Sequence, residues 1–156
     1  MQKLEPAWLL HTLAALYWRG HGRTSNGIEC FRQALSCVPQ QQLHIPLTNF
    51  AALLLKMGHS EDALTLATAA HQVERNDPNI HFLMGLLRLM DGNYSLSVDH
   101  FQRSLAANVG AKEVENYRLM AACRLTAKEA AQQLQCQGVN HFEITGIRIV
   151  SLIAPH

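Results

Sequence analysis

The sequence predicts an all-α protein built from consecutive pairs of helices, and three observations support this prediction. First, three stretches share one order of features, an apolar helix, a glycine, a polar residue and a second helix; they are residues 8–41, 44–77 and 78–111. Second, the turn glycines of these stretches recur 36 and then 34 residues apart, close to the period of about 34 residues that marks helix-turn-helix repeats. Third, apolar residues recur every three and four positions, which is the spacing of one helix face.

A glycine closes the first helix of each stretch, and the three are Gly22, Gly58 and Gly92. Glycine readily adopts the left-handed conformation that ends a helix, so each of them is predicted to turn the chain back. A polar residue follows each glycine and is predicted to cap the next helix. These capping residues are Thr24, Ser60 and either Asn93 or Ser95.

Residues 112–137 lack a turn glycine and are predicted to form two further helices, 112–125 and 127–137, with Thr126 as the cap between them. This pair is either a degenerate fourth repeat or the polar capping pair that an open stack of repeats needs at its end. Capping is favoured because four glutamines make the last of these helices polar.

Residues 138–156 form an apolar C-terminal tail of different character. Six Ile, Val and Leu residues crowd between positions 144 and 153, a composition that favours extended structure over helix. Because the chain also begins almost within a repeat helix, one interpretation is that it is a fragment, an isoform or a truncated member of a longer array. The alternative is that the tail folds back over the last helices.

Small residues occupy three helix positions that recur in every repeat. They are Ala15, Ala51 and Gly85 on the first helices, with Gly27, Ala63, Ser97, Ala34, Ala70 and Ser104 on the second helices. Together with the glycine spacing, this pattern resembles the tetratricopeptide repeat family, in which small residues let paired helices approach closely. The resemblance implies a right-handed solenoid of helical hairpins, with three repeats followed by C-terminal capping helices. It also implies a non-catalytic protein whose first helices line a concave surface for a partner.

Composition and charge exclude several other classes of protein. The chain of 156 residues is 48% hydrophobic, which suits one ordinary domain with a modest core. Its net charge of only +1 gives no global attraction to phosphate, so no nucleic-acid partner is predicted. No apolar stretch reaches the roughly 20 residues of a membrane-spanning helix, and the four cysteines form no C-x-x-C pair. These features predict a cytoplasmic protein with reduced cysteines.

Motifs for catalysis or cofactor binding are absent from the sequence. There is no phosphate-binding glycine loop, no zinc-protease H-E-x-x-H and no nucleophile elbow. The nine histidines offer one candidate ligand pair, His71 and Glu74, three residues apart on a predicted helix. No second pair has matching spacing, so no metal, cofactor or catalytic residue is predicted. His11 and His81 occupy equivalent repeat positions, which favours a role in packing.

The resemblance places the partner site on the first helices, whose groove positions are mostly apolar. The predicted groove residues are Leu16, Ile45, Asn49, Leu55, Lys56, Phe82, Leu86, Leu89 and Met90. Apolar anchors of this kind accept an amphipathic helix, so the predicted partner is a protein or an amphipathic peptide. An alternative is that the C-terminal helices, the tail or neighbouring repeats cover these residues, because exposed apolar patches of this size are unusual in monomers. The chain is then a structural segment of a longer array that stacks on itself or on neighbouring repeats.

Two further implications of the resemblance concern the partner. Chaperone-binding members hold a terminal carboxylate in a clamp of basic residues and asparagines, and only Asn49 matches a clamp position here. Thr12 and Leu83 stand where basic residues are expected, so binding of a chaperone C-terminal tail is disfavoured. Separately, residues 16–20 and 28–35 resemble one large member of the family that is associated with actin assembly and cilium formation, which implies a role in those processes.

Overall fold

The computed structural model describes residues 6–107 and 111–136, and this part of the chain is all-α without a strand. Its helices are α1 (Ala7–Gly20), α2 (Thr24–Cys37), α3 (His44–Lys56), α4 (Ser60–Val73), α5 (Pro78–Met90), α6 (Tyr94–Ala107) and α7 (Lys112–Cys136), with one 3₁₀ turn at Gln40–Gln42. The predicted all-α fold of helical hairpins is therefore confirmed. The apolar tail, residues 138–156, lies outside the described residues.

The three hairpins are closed by the same turn. Gly22, Gly58 and Gly92 have φ angles of 72°, 87° and 71°, which confirms the predicted left-handed conformation. In the first turn, the amide of Arg23 donates to the Trp18 carbonyl at 3.0 Å, and that of Gly22 donates to the Arg19 carbonyl at 3.4 Å. Equivalent bonds close the other two turns. This is the Schellman arrangement, which satisfies carbonyls at the end of a helix and fixes the direction in which the next helix starts.

The predicted caps at Thr24 and Ser60 are wrong. Each is the first residue of its helix, and the N-cap positions belong to Arg23 and His59, which make no side-chain cap bond. The reason is that the Schellman turn leaves one residue between the glycine and the next helix, so that residue takes the N-cap position whatever its side chain. In the third turn, Asn93 Oδ1 does accept from the Leu96 amide, at a long 3.5 Å.

The predicted break at Thr126 is also wrong, because α7 is a single helix of 25 residues. The Thr126 hydroxyl donates to the Cys123 carbonyl, three residues back, at 2.9 Å, so its side chain is satisfied without ending the helix. Residues 112–136 contain no glycine or proline. Nothing in the sequence therefore stops the helix between its two predicted halves.

All nine small residues of the repeat pattern are buried. Helices α5 and α6 come close together at these positions, where the Ser97 hydroxyl donates to the Gly85 carbonyl at 2.8 Å. The ring of Phe101 lies directly over Gly85, so near that a β-carbon there would come within 2.6 Å of it. Small side chains at these positions thus allow the two helices of a hairpin to come into contact.

Three apolar clusters form the core, and each is shared by three consecutive helices. The first joins α1, α2 and α3 around Phe31 and Leu53; the second joins α3, α4 and α5; the third joins α5, α6 and α7 around Phe101. Helix α3 also contacts α1 and α5, and α5 contacts α7. The first helices of the hairpins consequently lie side by side, and together they line one face of the stack.

Candidate functional site

A groove of about 570 Å³ opens on this face between α3 and α5. We call it the α3–α5 groove. It is lined by Ile45, Thr48, Asn49, Ala52, Leu55, Lys56, Asp77, Asn79, Phe82, Leu83 and Leu86. The first six residues lie on α3 and the last four on α5, while Asp77 directly precedes α5.

The structure brings six of the nine predicted groove residues together. Ile45, Asn49, Leu55, Lys56, Phe82 and Leu86 all line the α3–α5 groove. The remaining three do not. Leu16 packs against the core cluster of α1, α2 and α3, Leu89 is buried beside Phe101, and Met90 is 60% exposed outside the groove lining.

Leu89 does not line the groove because α7 packs against the end of α5, where Leu89 lies. Leu89 shares its core cluster with Ala121 of α7 and with Phe101. It therefore contributes to the fold and not to a surface. Leu16 is excluded for a similar reason, since the cluster that it joins fills the space between α1 and α3.

Four half-buried apolar side chains form the walls of the groove: Ile45, Leu55, Phe82 and Leu86. Leu55 packs against the core cluster of α3, α4 and α5, while Phe82 and Leu86 pack against the cluster around Phe101. Each of these three therefore contacts the core on one side and borders the groove on the other. Packing of this kind holds the side chains in fixed positions before a partner arrives, which lowers the entropy lost on binding.

The polar groups of the groove are largely satisfied within their own helices. Asn49 Nδ2 donates to the Ile45 carbonyl at 2.9 Å, and Thr48 Oγ1 donates to the His44 carbonyl at 2.7 Å. Asp77 caps α5 by accepting from the Asn79 amide at 2.7 Å. Asp77 was absent from the predicted groove; the signal that points to it is the Asp-Pro pair at the start of α5. Lys56 is exposed and adds a positive charge to the groove wall.

Thr12 and Leu83 stand at the two positions where a chaperone clamp is expected to have basic residues. Thr12 is buried, and its hydroxyl donates to the Trp8 carbonyl at 2.8 Å. Leu83 is buried in the core cluster of α3, α4 and α5. The positions where basic residues are expected in a carboxylate clamp are therefore filled by side chains that contribute to the fold.

Three histidines from different helices form a cluster outside the groove lining: His71 of α4, His81 of α5 and His100 of α6. Their ring centroids lie 5.3 Å (His71 to His81), 5.4 Å (His81 to His100) and 6.5 Å (His71 to His100) apart. Burial lowers the pKa of His81, and burial together with the neighbouring His81 ring lowers the pKa of His100 to about 4. Both rings are thus neutral at pH 7. Among the described residues, no group of three or more His, Cys, Asp or Glu side chains forms a ready-made metal site.

The candidate ligand pair of the sequence, His71 and Glu74, lies at the C-terminal end of α4. Glu74 follows the end of α4, and its Oε1 accepts from the Asn76 amide at 3.0 Å. His11 is half-buried, whereas its repeat equivalent His81 is almost completely buried.

Within residues 6–107 and 111–136, no helix is both long enough and apolar enough to cross a membrane.

Comparison with solved structures finds the same fold in tetratricopeptide repeat domains. The first such domain of Spaghetti (RPAP3), bound to the HSP90 peptide SRMEEVD, superposes with a TM-score of 0.72 at 15% identity, covering 77% of this chain and 96% of that one. The Sgt2 domain from Aspergillus fumigatus gives a TM-score of 0.69 at 18% identity and covers 94% of each chain. At this level of identity the likeness shows the fold alone.

Comparison of sequences finds curated relatives but no matching family model. Tetratricopeptide repeat protein 17 of Danio rerio is 32% identical over 104 residues, which is 67% of this chain and 9% of the relative. The Homo sapiens protein of the same name is 31% identical over 118 residues, which is 76% of this chain and 10% of the relative. The chain thus spans about a tenth of the length of the curated relatives that it matches. By its fold and by these relatives, the chain belongs to the tetratricopeptide repeat family and resembles tetratricopeptide repeat protein 17.

Proposed function

We propose that this chain is a non-catalytic scaffold that binds a protein partner in the α3–α5 groove. The observation that carries the proposal is the convergence of Ile45, Leu55, Phe82 and Leu86 on one open groove of about 570 Å³. An apolar groove on a helical scaffold suits an amphipathic helix, whose apolar residues recur every three and four positions along one face. The proposed partner is therefore a protein, or a peptide from one, that presents such a helix.

The energetics of the groove support a partner of this kind. Complete burial of one Leu, Ile or Phe side chain contributes about 1.5–3 kcal/mol. Three or four such anchors are enough to offset the several kcal/mol lost when a peptide helix is ordered and held. Binding energy in such interfaces concentrates on a few central side chains. Phe82 and Leu86, one helical turn apart on α5, are the proposed centre.

The charges of the groove suggest the orientation of the partner. Successive helices of the hairpins alternate in direction, so α3 and α5 run parallel. Lys56 ends α3 and Asp77 precedes α5, so the two charges belong to opposite ends of the groove, about 20 Å apart for helices of this length. We expect the partner helix to carry an acidic residue near Lys56 and a basic residue near Asp77.

Chaperone C-terminal tails are disfavoured as partners in this proposal. The related domain of Spaghetti (RPAP3) is bound to an HSP90 peptide, so the fold itself is compatible with such a ligand in that protein. In this chain, buried Thr12 and Leu83 occupy positions where the clamp requires basic residues. Nucleic acid is disfavoured as well, because a net charge of +1 gives no global attraction to phosphate.

The resemblance to tetratricopeptide repeat protein 17 supports a finer proposal about the cellular role. We propose a cytoplasmic scaffold linked to actin organisation and cilium formation, as the resemblance of residues 16–20 and 28–35 implies. Sequence identity of 31% over 118 residues supports the resemblance on which this proposal rests. Partners recovered with this chain should then include proteins of actin assembly.

A structural role within a longer array is the second candidate. Helix α1 carries three exposed apolar residues, Leu10, Leu13 and Tyr17, spaced as one helical stripe. A preceding repeat would cover such a stripe, and repeats need neighbours to bury their faces. Both candidate roles assume the same three repeats, residues 8–41, 44–77 and 78–111, with α7 as their cap. Sedimentation that shows concentration-dependent self-association favours this second role, and a strictly monomeric chain counts against it.

Replacing Leu86 by glutamate should abolish binding of the partner. A charge at the centre of an apolar groove removes a hot-spot contact worth about 2 kcal/mol or more, a loss of affinity of roughly thirtyfold. The measurement is a quantitative pull-down from cell lysate, after circular dichroism has shown that both proteins are equally helical. Proteins that bind the native chain should be missing from the Leu86→Glu sample.

Three further samples make the pull-down specific. Leu119→Glu introduces the same charge at an exposed leucine of α7, away from the groove, and should retain every partner. Lys56→Glu changes only an exposed groove residue and should weaken binding even if Leu86→Glu impairs folding. Addition of the peptide SRMEEVD should displace nothing. The proposal fails if Leu86→Glu and Lys56→Glu recover the same proteins as the native chain.

A further inference from the structure

The histidine cluster contains two rings, those of His81 and His100, whose Nδ1 atoms lie within hydrogen-bonding distance of each other. The Nδ1 atoms of His81 and His100 are 3.1 Å apart. His81 belongs to α5 and His100 to α6, so this contact joins the two helices of the third hairpin. His71 of α4 is the nearest further ring, with its centroid 5.3 Å from that of His81.

The position of the proton on each ring follows from a neighbouring carbonyl. His81 Nε2 lies 2.8 Å from the Arg75 carbonyl oxygen, and because a carbonyl only accepts, Nε2 must carry the proton and donate. Neutral His81 then has its lone pair on Nδ1, directed at His100. In the metal-free protein, His100 Nδ1 donates its proton to that lone pair.

This arrangement resembles a pair of metal ligands. Histidines that bind a metal usually donate their other ring N–H to a carbonyl or carboxylate, which fixes the tautomer and the ring orientation, as Arg75 does for His81. Two nitrogens that each lie 2.0–2.1 Å from a tetrahedral zinc ion are about 3.3 Å apart. The two Nδ1 atoms, 3.1 Å apart, are already close to that spacing, and the rings need to turn so that both lone pairs point at one ion beside the line between them.

Charge and access around the pair permit a cation. Arg103 lies nearby, but its guanidinium is paired with the Asp99 carboxylate at 3.0 Å, so the positive charge is offset locally. A surface cavity of about 330 Å³ reaches His81 and is bordered by Asn76, Arg103, Ala106 and Ala107. His100 is half-buried and keeps part of its surface in contact with solvent. An ion therefore has a route from solvent to the pair.

We infer that His81 and His100 form a binding site for a divalent transition-metal ion such as Zn²⁺, with both Nδ1 atoms as ligands. The ion replaces the hydrogen bond between the two rings, and the proton of His100 moves from Nδ1 to Nε2 by exchange with solvent, so that both ligands are neutral imidazoles protonated on Nε2. Because the described residues hold no ready-made group of three ligands, water completes the coordination. Imidazole nitrogen is a ligand that Zn²⁺, Cu²⁺ and Ni²⁺ accept.

Calorimetric titration of the full chain with ZnCl₂ at pH 7.5, after removal of metal with a chelator, tests this inference. We expect one ion per chain and a thermal midpoint that rises with zinc concentration, since the ion binds the folded state. His100→Asn should weaken zinc binding at least tenfold. His59→Asn removes an exposed histidine of the second turn and should leave zinc binding unchanged.

Nitrogen-15 spectra of the histidine rings supply a second readout that does not depend on a variant. Zinc should shift the Nδ1 resonances of His81 and His100 and leave His81 Nε2 protonated. The inference is overturned if the titration does not give one zinc ion per chain or if His100→Asn binds zinc as tightly as the native chain. It is also overturned if the Nδ1 resonances of His81 and His100 do not move.

Discussion

Replacing Phe101 by alanine should lower the free energy of unfolding by about 3–5 kcal/mol. Phe101 is completely buried, and its ring lies 6.0 Å from those of both Phe82 and Tyr117, measured between centroids. It thereby joins α5, α6 and α7. Removing it leaves a cavity where three helices meet, and the surrounding backbone cannot close that cavity without separating the hairpin.

Denaturant unfolding followed by circular dichroism measures this effect. Leu96→Ala is the matched control, because Leu96 lies on the same helix with 44% of its surface exposed and should change stability by less than about 0.5 kcal/mol. Since each repeat contacts only its neighbours, the loss at Phe101 should be largest in hydrogen exchange of α5, α6 and α7. Equal stability of Phe101→Ala and Leu96→Ala would contradict the observed packing.

Replacing Gly85 by alanine should also destabilise the protein, by about 1–2 kcal/mol, although alanine is the better helix former. Alanine in place of glycine favours a helix interior by about 1 kcal/mol. At Gly85, however, the new β-carbon would lie 2.6 Å from the buried Phe101 ring, and overpacking of this kind costs about 1–3 kcal/mol or more. The clash outweighs the gain because Phe101 is enclosed on all sides and cannot move aside.

Gly20→Ala is the control for this substitution. Gly20 ends α1 and has no atom within 4 Å of the position of a new β-carbon, so alanine there should be neutral or slightly stabilising. A second test combines Gly85→Ala with Phe101→Leu, which frees space above the helix. The two changes together should be less destabilising than the sum of the single changes. A Gly85→Ala protein more stable than the native chain would refute the close contact of α5 with α6.

The fold could be predicted from the sequence because its signals are local. The turn glycines fix three hairpins, and the small residues at Ala15, Ala51 and Gly85 identify the helix faces that touch. The break expected at Thr126 was wrong because a single threonine is only a weak signal, whose hydroxyl the helix satisfies with its own carbonyl. The caps at Thr24 and Ser60 were wrong because the geometry of the turn, and not residue preference, decided which residue preceded each helix.

The groove could be predicted only in part. Ile45, Leu55, Phe82 and Leu86 are found where the helical spacing places them, since α3 and α5 are neighbours in consecutive repeats. Leu89 continues the same stripe on α5, yet α7 covers it, and the position of α7 depends on tertiary packing that no local pattern records. The histidine cluster was unpredictable for the same reason, because His71, His81 and His100 come from three different helices.

Site-specific photo-crosslinking tests the central claim, that a partner binds in the α3–α5 groove, most directly. A photoreactive amino acid placed at Asn79, an exposed residue of the groove, is compared with the same group at Thr68, an exposed residue of α4. We expect the group at Asn79 to capture a discrete partner through an amphipathic helical segment, while the group at Thr68 captures none. Capture of the same partner from Thr68, or no capture from Asn79, would contradict it.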